Sequence, residues 1–302
     1  MDELPSSTVV IATRNRPELL LATVESILDG SVRPDEIVVV DQSAHRPPLT
    51  SQLTGAGNTA IHQLRVPPAG LSAARNVGLR AATGEIVAVT DDDMLAATHW
   101  LESLLRALSR AGADVVVTGR VDAGVAEVPG AFAPAAHAFE GVQRFRGRLP
   151  IDVLAGGNMA LYRSTLGRIG LFDERLGAGS KYPAAEDNDF GFRVLAAGLE
   201  IEYVPDAILL HRAWRTSSEY FSLRWRYGLG KGGFYAKHLR ADGGGLASRA
   251  ATDVWRRVRR FPRLAVSHPR QAAADAFYVA GVAVGLARWL STYGRRPRAS
   301  FS

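Results

Sequence analysis

The first 118 residues alternate short, β-branched apolar runs with stretches whose apolar residues recur at helical spacing, which restricts the chain to an α/β architecture. Residues 8–12, 36–40, 62–66, 85–90 and 114–118 read as strands. Between them Leu20, Leu21, Val24, Ile27 and Leu28 form one apolar stripe, opened by Pro17 and closed by Gly30. Residues 71–82 read as a helix stopped near Gly84, and Trp100, Leu101, Leu104, Leu105 and Leu108 mark another. Strands alternating with helices imply a mostly parallel sheet joined by right-handed crossovers. Residues 119–150 have weak periodicity and several glycines and prolines, and read as irregular and substrate-facing. Patterning resumes with a strand at 158–163, a short helix at 164–169, a helix at 186–197 capped by Gly198, and short strands at 200–204 and 207–210. From Ser217 onward the chain reads as helical, with glycine-rich breaks at 228–233 and 243–245.

The 302 residues contain no cysteine, which excludes disulfides, thiolate metal sites and a cysteine nucleophile, and leaves oxygen and imidazole as metal ligands. The net charge of +6 hides a division. Up to His211 there are 18 Lys and Arg against 26 Asp and Glu, and from Arg212 onward 18 against 4. An acidic body with a basic tail suggests either an anionic partner for the tail or arginines that cover the body's own acidic surface. The N-terminus shows no basic segment followed by an apolar one, so a cytoplasmic location is expected.

In an open α/β sheet, ligands gather beyond the carboxyl ends of the strands. Three stretches fall there: the loop Thr13-Arg14-Asn15-Arg16-Pro17, Asp41, and Asp91-Asp92-Asp93. Three successive aspartates repel one another unless a cation or hydrogen-bond donors compensate. A turn capping the next helix explains one of them, whereas a hard cation held beside substrate phosphates explains all three. Glu186-Asp187-Asn188-Asp189 opens an amphipathic helix, where acidic side chains complement the helix dipole. It also follows the flexible Gly177-Ala178-Gly179-Ser180, which suits an active-site loop carrying a general base. His211, at a strand end, reads either as a structural histidine or as a nitrogen ligand to the same cation.

These segments, in this order and spacing, resemble the family-two inverting glycosyltransferases built on the GT-A fold. The resemblance covers about residues 7 to 215 and rests on the run from Thr8 to Pro17, Glu36 to Asp41, Gly70 to Leu79, Val87 to Asp93, Gly156-Gly157-Asn158-Met159, and Glu186-Asp187. It implies a GT-A-like (Rossmann-like) α/β fold, with a mixed, mostly parallel sheet flanked by helices and a helical C-terminal extension. It divides the chain into a glycosyltransferase domain at 1–215, with a nucleotide-binding half at 1–118 and an acceptor half at 119–215, and an extension at 216–302. Thr13, Arg16, Asp41 and Arg75 would line the nucleotide pocket. Asp93 would ligate Mn²⁺ or Mg²⁺, Asp91 or Asp92 would meet the ribose or share the ion, and His211 would complete the metal shell. Gly156, Gly157 and Asn158 would lie against the donor sugar or the acceptor. Asp187 would be the catalytic base, and Glu186 would shape the acceptor pocket. The implied partners are a nucleotide-diphosphate sugar and a glycan or lipid-linked acceptor.

In the tail, Trp225, Tyr227, Trp255, Phe261 and Trp289 are interleaved with arginines, which suits an anionic membrane surface at the inner face of the cell membrane. Residues 272–290 are nearly apolar but interrupted by Asp275 and Arg288, and read first as an interfacial helix, then as a core-packed one, and last as a span. The body shows no nucleic-acid-binding module, so nucleic acid is not an expected partner. Three other functions share parts of this pattern. A sugar nucleotidyltransferase needs a glycine-rich loop after the first strand, and residues 13–17 lack glycine. A catalytically degenerate nucleotide-sugar-binding protein has no need of both Asp91–Asp93 and Glu186-Asp187. A dinucleotide-dependent oxidoreductase fails for want of a G-x-G-x-x-G turn.

Overall fold

The computed structural model describes residues 4–44, 48–53, 55–127, 129, 136–213, 216, 219–239 and 244–294. The described residues group into two units, one comprising 1–173 and 187–217, the other 174–186 and 218–302.

In the first unit, β1 (Ser7–Thr13), α1 (Pro17–Leu28), β2 (Glu36–Asp41), β3 (Ala60–Arg65), α2 (Leu71–Ala81) and β4 (Ile86–Asp91) follow the expected alternation. Next come β5 (Met94–Ala96), α3 (Trp100–Ala111), β6 (Val115–Ala126), β7 (Gln143–Phe145), β8 (Asn158–Tyr162), α4 (Leu166–Ile169), α5 (Glu186–Ala196) and β9 (Glu200–Ala213). They form one nine-stranded mixed sheet of order β3-β2-β1-β4-β8-β6-β9-β5, with β7 added on β9. β1 is parallel to both β2 and β4, so the strand order reverses around it. In such sheets the crevice at the reversal is where ligands bind.

β1, β2 and β4 are buried on both faces, which explains their continuous rather than alternating apolar runs. Along β1, Val9 and Ile11 join Leu20, Val24, Ile27, Trp100 and Leu104 on one side of the sheet. Val10 and Ala12 join Ala74, Leu79, Phe190 and Val194 on the other. A side chain on Gly78 of α2 would strike Val10, so that helix lies tight on the strand.

The stretch 119–150 is more regular than its composition implies, although 128 and 130–135 lie outside the described residues. β6 continues to Ala126 and β7 lies within the stretch. The two strands expected at 200–204 and 207–210 are one, β9, parallel to β6. Its register jumps from Gly119↔Val204 to Arg120↔Ile208, and this bulge accommodates Pro205, which cannot donate to a ladder. An aromatic group of Phe139, Phe145 and Tyr203, with ring centroids about 5.2 Å apart, packs β7 to β9.

The second unit contains α6 (Tyr220–His238), α7 (Gly245–Ser267) and α8 (Pro269–Tyr293). Residues 174–186 group with these helices rather than with the sheet. Tyr182 packs on Trp289 with centroids 4.9 Å apart, and the Arg175 guanidinium lies 4.5 Å from the Trp289 ring centre. The glycines at 228–233 do not break a helix. α6 runs through them, because Gly228 and Gly232 face α8, where a methyl group would collide with the carbonyl oxygens of Tyr278 and Val282. Gly281 and Gly285 of α8 meet Trp225 and Leu229 in the same way. Within 272–290 the side of α8 that carries Ala274, Tyr278, Val282 and Trp289 is buried, while Phe277 is 47% exposed. α8 is long and apolar enough to cross a membrane. Its buried Asp275 accepts two hydrogen bonds from Arg260, at 2.6 and 2.7 Å. The glycine break expected at 243–245 falls partly outside the described residues. There, Gly244 takes a positive φ of 97° and α7 begins at Gly245.

Gly232→Ala is expected to lower unfolding free energy by about 1–3 kcal/mol, the cost of overpacking. Gly167→Ala, with nothing within 4 Å of the new methyl group, should be neutral or stabilising by up to about 1 kcal/mol. Thermal denaturation of the two variants checks the contrast.

Candidate active site

The sheet reversal delivers three strand ends together. Thr13 of β1 pairs with Asp41 of β2, and Ala12 pairs with Asp91 of β4. The β1–α1 loop then turns sharply at Asn15, whose φ is 57°. Its backbone N–H donates to Ser43 Oγ at 2.6 Å and its side-chain oxygen accepts from the Ala44 N–H at 3.1 Å, tying the loop to the end of β2. Asp41 is buried, accepting from the Ser43 N–H at 2.8 Å and from Gln63 Nε2 at 2.9 Å. Thr13, Pro17, Leu20, Asp41, Leu49 and Gln63 line a small hollow here.

The three adjacent aspartates are compensated from different directions, with Arg16 shared between Asp92 and Asp93. Asp91 takes a charge-assisted hydrogen bond from Arg75, Nη2 to Oδ1 at 2.5 Å, and Arg75 is itself buried on α2. Asp92 accepts from Thr13 Oγ1 at 2.7 Å and from Arg16 at 2.9 Å. Its backbone oxygen accepts from Thr23 Oγ1 on α1 at 3.0 Å. Burial pushes the Asp92 carboxyl up to about 6, against the opposing pull of Arg16, with Asp93 adding to the rise. Asp93 Oδ2 lies 3.4 Å from Arg16, and its Oδ1 lies 3.6 Å from His211 Nε2. The second contact depends on β5, a three-residue strand that periodicity does not reveal, which pairs Met94 with His211 on β9.

Asp93 and His211 are both largely buried and present an oxygen and a nitrogen to the same point. Their 3.6 Å separation is close to the ~3 Å between neighbouring ligands of an ion with bonds of about 2.1 Å. No cluster of three or more His, Asp or Glu occurs among the described residues to hold an ion alone. A hard cation at this pair would take its remaining ligands from phosphate and water, as Mg²⁺ commonly does.

The other half of the site is Gly156-Gly157. A methyl group on Gly157 would collide with Asp91 Oδ2, and one on Gly156 would stand 2.8 Å from Asp187 Cβ and 3.1 Å from Arg75. The close backbone approach that only glycine permits thus brings Asp187 beside the Arg75–Asp91 pair. Asp187 is half-buried in the first turn of α5, its Oδ1 accepting from the Asn188 N–H at 2.7 Å. Glu186 is half-buried and groups with the second unit. Ala185 just before it holds φ at 69°. Among the described residues, Asn15 and Ala185 are the non-glycine positions with positive φ. Each lies in a loop leading to a candidate site residue.

Asn158 departs from expectation. It is fully buried, accepting from Trp100 Nε1 at 2.8 Å and donating to the backbone oxygens of Arg120 at 2.8 Å and Ala207 at 2.9 Å. Both amide donors are consumed in joining α3, β6, β8 and β9, so its side chain braces the sheet. Asp92, which with Asp91 was one of two candidates for the ribose or the ion, holds Thr13 and Arg16. Thr23, Ser43 and Gln63 were not foreseen, because single polar residues in helices and loops carry no spacing signal.

Residues 8–170 match the family model for glycosyl transferase family 2. The chain belongs to this family. The pre-mycofactocin glycosyltransferase of Mycobacterium tuberculosis is 31% identical over 209 residues, which are 68% of this chain and 42% of that protein. The chain therefore spans well under half the length of that relative. Among solved structures, the mannosyltransferase PcManGT of Pyrobaculum calidifontis, in complex with GDP-Man and Mn²⁺, matches at TM-score 0.62 and 20% identity, over 97% of this chain and 89% of that one. GalNAc-T7, with UDP, GalNAc and Mn²⁺, matches at TM-score 0.57 and 20% identity, over 78% of this chain and 51% of that one. These likenesses establish the GT-A fold of the family-2 chain.

Arg16→Gln removes the cation shared by two buried carboxylates. Unfolding free energy in urea should fall by about 1–3 kcal/mol, the cost of an unsatisfied buried polar group. An unchanged midpoint would show that Arg16 does not hold the aspartate run.

Proposed function

We propose that this family-2 chain is an inverting, cation-dependent glycosyltransferase that moves a sugar from a nucleotide-diphosphate sugar to an acceptor hydroxyl in glycan synthesis for the cell envelope. The observation that carries this reading is the meeting of Asp91 and Asp187 at Gly156-Gly157, while Asp93 faces His211. One carboxylate beside a cation-competent pair and another beside the adjoining backbone suit displacement at an anomeric carbon. Asp93 and His211, with Asp91 alongside, would hold Mn²⁺ or Mg²⁺, and a cation there would offset charge on the leaving diphosphate.

The chain's own residues supply the rest. The hollow beside Thr13 and Asp41 receives the base and ribose, and Asp41 is already oriented by Ser43 and Gln63. Arg75, locked on Asp91, keeps that carboxylate turned toward the donor. Gly157 leaves room for the sugar against the backbone. Asp187 accepts the proton of the acceptor hydroxyl as its oxygen bonds to the anomeric carbon and the bond to the diphosphate oxygen breaks on the opposite face. Glu186, next in the chain, contributes to the acceptor side. The absence of cysteine suits the reducing cytoplasm, at the inner membrane face where lipid-linked acceptors reside. The glycine-free loop at 13–17 weighs against nucleotidyl transfer.

Asp187→Asn should lower kcat by about 10²- to 10⁴-fold, the usual share of a general base, while donor affinity stays within a few-fold. Near wild-type turnover in that variant would remove Asp187 from the chemistry. A thermal-shift series of UDP, GDP and dTDP with Mn²⁺ should single out one base. A diphosphate at 100 times its Kd adds about 2.7 kcal/mol of stability, and the gain should vanish with EDTA and in Asp93→Ala.

A further inference from the structure

α7 is an amphipathic helix docked by its polar side. Leu246, Asp253, Arg257, Arg260 and Leu264 share one face at helical spacing. That face meets the rest of the second unit. Tyr278 Oη donates to Asp253 at 2.8 Å, Arg257 lies 3.9 Å from the Tyr278 ring centre, and Arg260 is bidentate on Asp275. Trp255, Val258, Pro262 and Val266 recur at three- and four-residue spacing on the opposite face. Trp255 is 61% exposed, Val258 48% and Val266 88%. Such a stripe in water is unfavourable unless something covers it.

Arg256, Arg259 and Arg263 follow one flank of this stripe, exposed and without an ion pair among the described residues. No acidic residue occurs between Asp253 and Asp275. A second copy of α7 would bring arginines against arginines. A nucleic acid would use flat rings for stacking, whereas the stripe is completed by valines and a proline. An apolar centre with cations along its edge is instead the pattern of a helix lying at a bilayer surface, with valine and tryptophan below the headgroups and arginines among the phosphates. We propose that the outward face of α7 docks this protein on an anionic phospholipid surface, an inference that stands apart from the transfer chemistry.

The full chain is mixed with vesicles of phosphatidylcholine alone, or with phosphatidylglycerol added, and binding is measured by flotation. The expected result is binding to the anionic vesicles only, weakened by added salt, with a blue shift in tryptophan emission that is lost in Trp255→Phe. Val258→Glu with Val266→Glu should weaken binding at least about tenfold. Arg256→Gln, Arg259→Gln and Arg263→Gln together should weaken it on the order of a hundredfold. Both sets alter exposed side chains, so melting temperature should not move. If the glutamate variant nevertheless melts early, the arginine variant and the Trp255 signal still decide. Equal binding to neutral vesicles, no binding to either, or undiminished binding by the arginine variant would overturn the proposal. So would a dimer dissolved by the glutamates, or a single-stranded RNA that outcompetes the vesicles.

Discussion

Three neighbouring carboxylates at the end of a buried strand cannot point the same way without a counter-charge, and the chain resolves this by dispersing them. Arg75 from α2 takes Asp91, Thr13 and Arg16 from the β1–α1 segment take Asp92, and Asp93 lies between Arg16 and His211 from β9. Each partner comes from a different element, so the positions of α2, the first loop and β9 are all referred to one strand end. The reversal of strand order around β1 creates the crevice, and the aspartates fix its edges.

The dispersal separates structural acidity from acidity available to a ligand. Asp92 is satisfied internally and raised by burial, which makes it a brace. Asp91 and Asp93 keep an oxygen toward the crevice or toward an imidazole, and Asp187 enters from the first turn of α5. Consecutive glycines at 156 and 157 allow these groups to approach by having no side chains to hold them apart.

Much of this was legible in the residues. Strands buried on both faces announce themselves as unbroken valine and isoleucine runs, and helices such as α1 and α3 by their apolar stripes. Strand-end aspartates were visible as charges where a sheet should end. What escaped detection depends on contacts distant in sequence. β5 is too short to show a period, β7 is defined by its antiparallel pairing with β9, and the inward turn of Asn158 follows from Trp100, 58 residues away. The glycines of α6 look like helix breakers until α8 is set against them, since a residue that weakens a lone helix also lets two backbones touch. Residues 174–186 likewise look like part of the sheet domain until Tyr182 and Arg175 are seen against Trp289.

The bulge at Pro205 governs more than a proline's missing donor. His211 reaches Asp93 because β9 resumes its pairing at Ile208 with one phase of alternating faces. Side chains on a strand change sides with every residue. A slip of one residue in the pairing beyond Ile208 would turn the imidazole to the far side of the sheet. A short kink that looks permissive in isolation thus sets the register for the site.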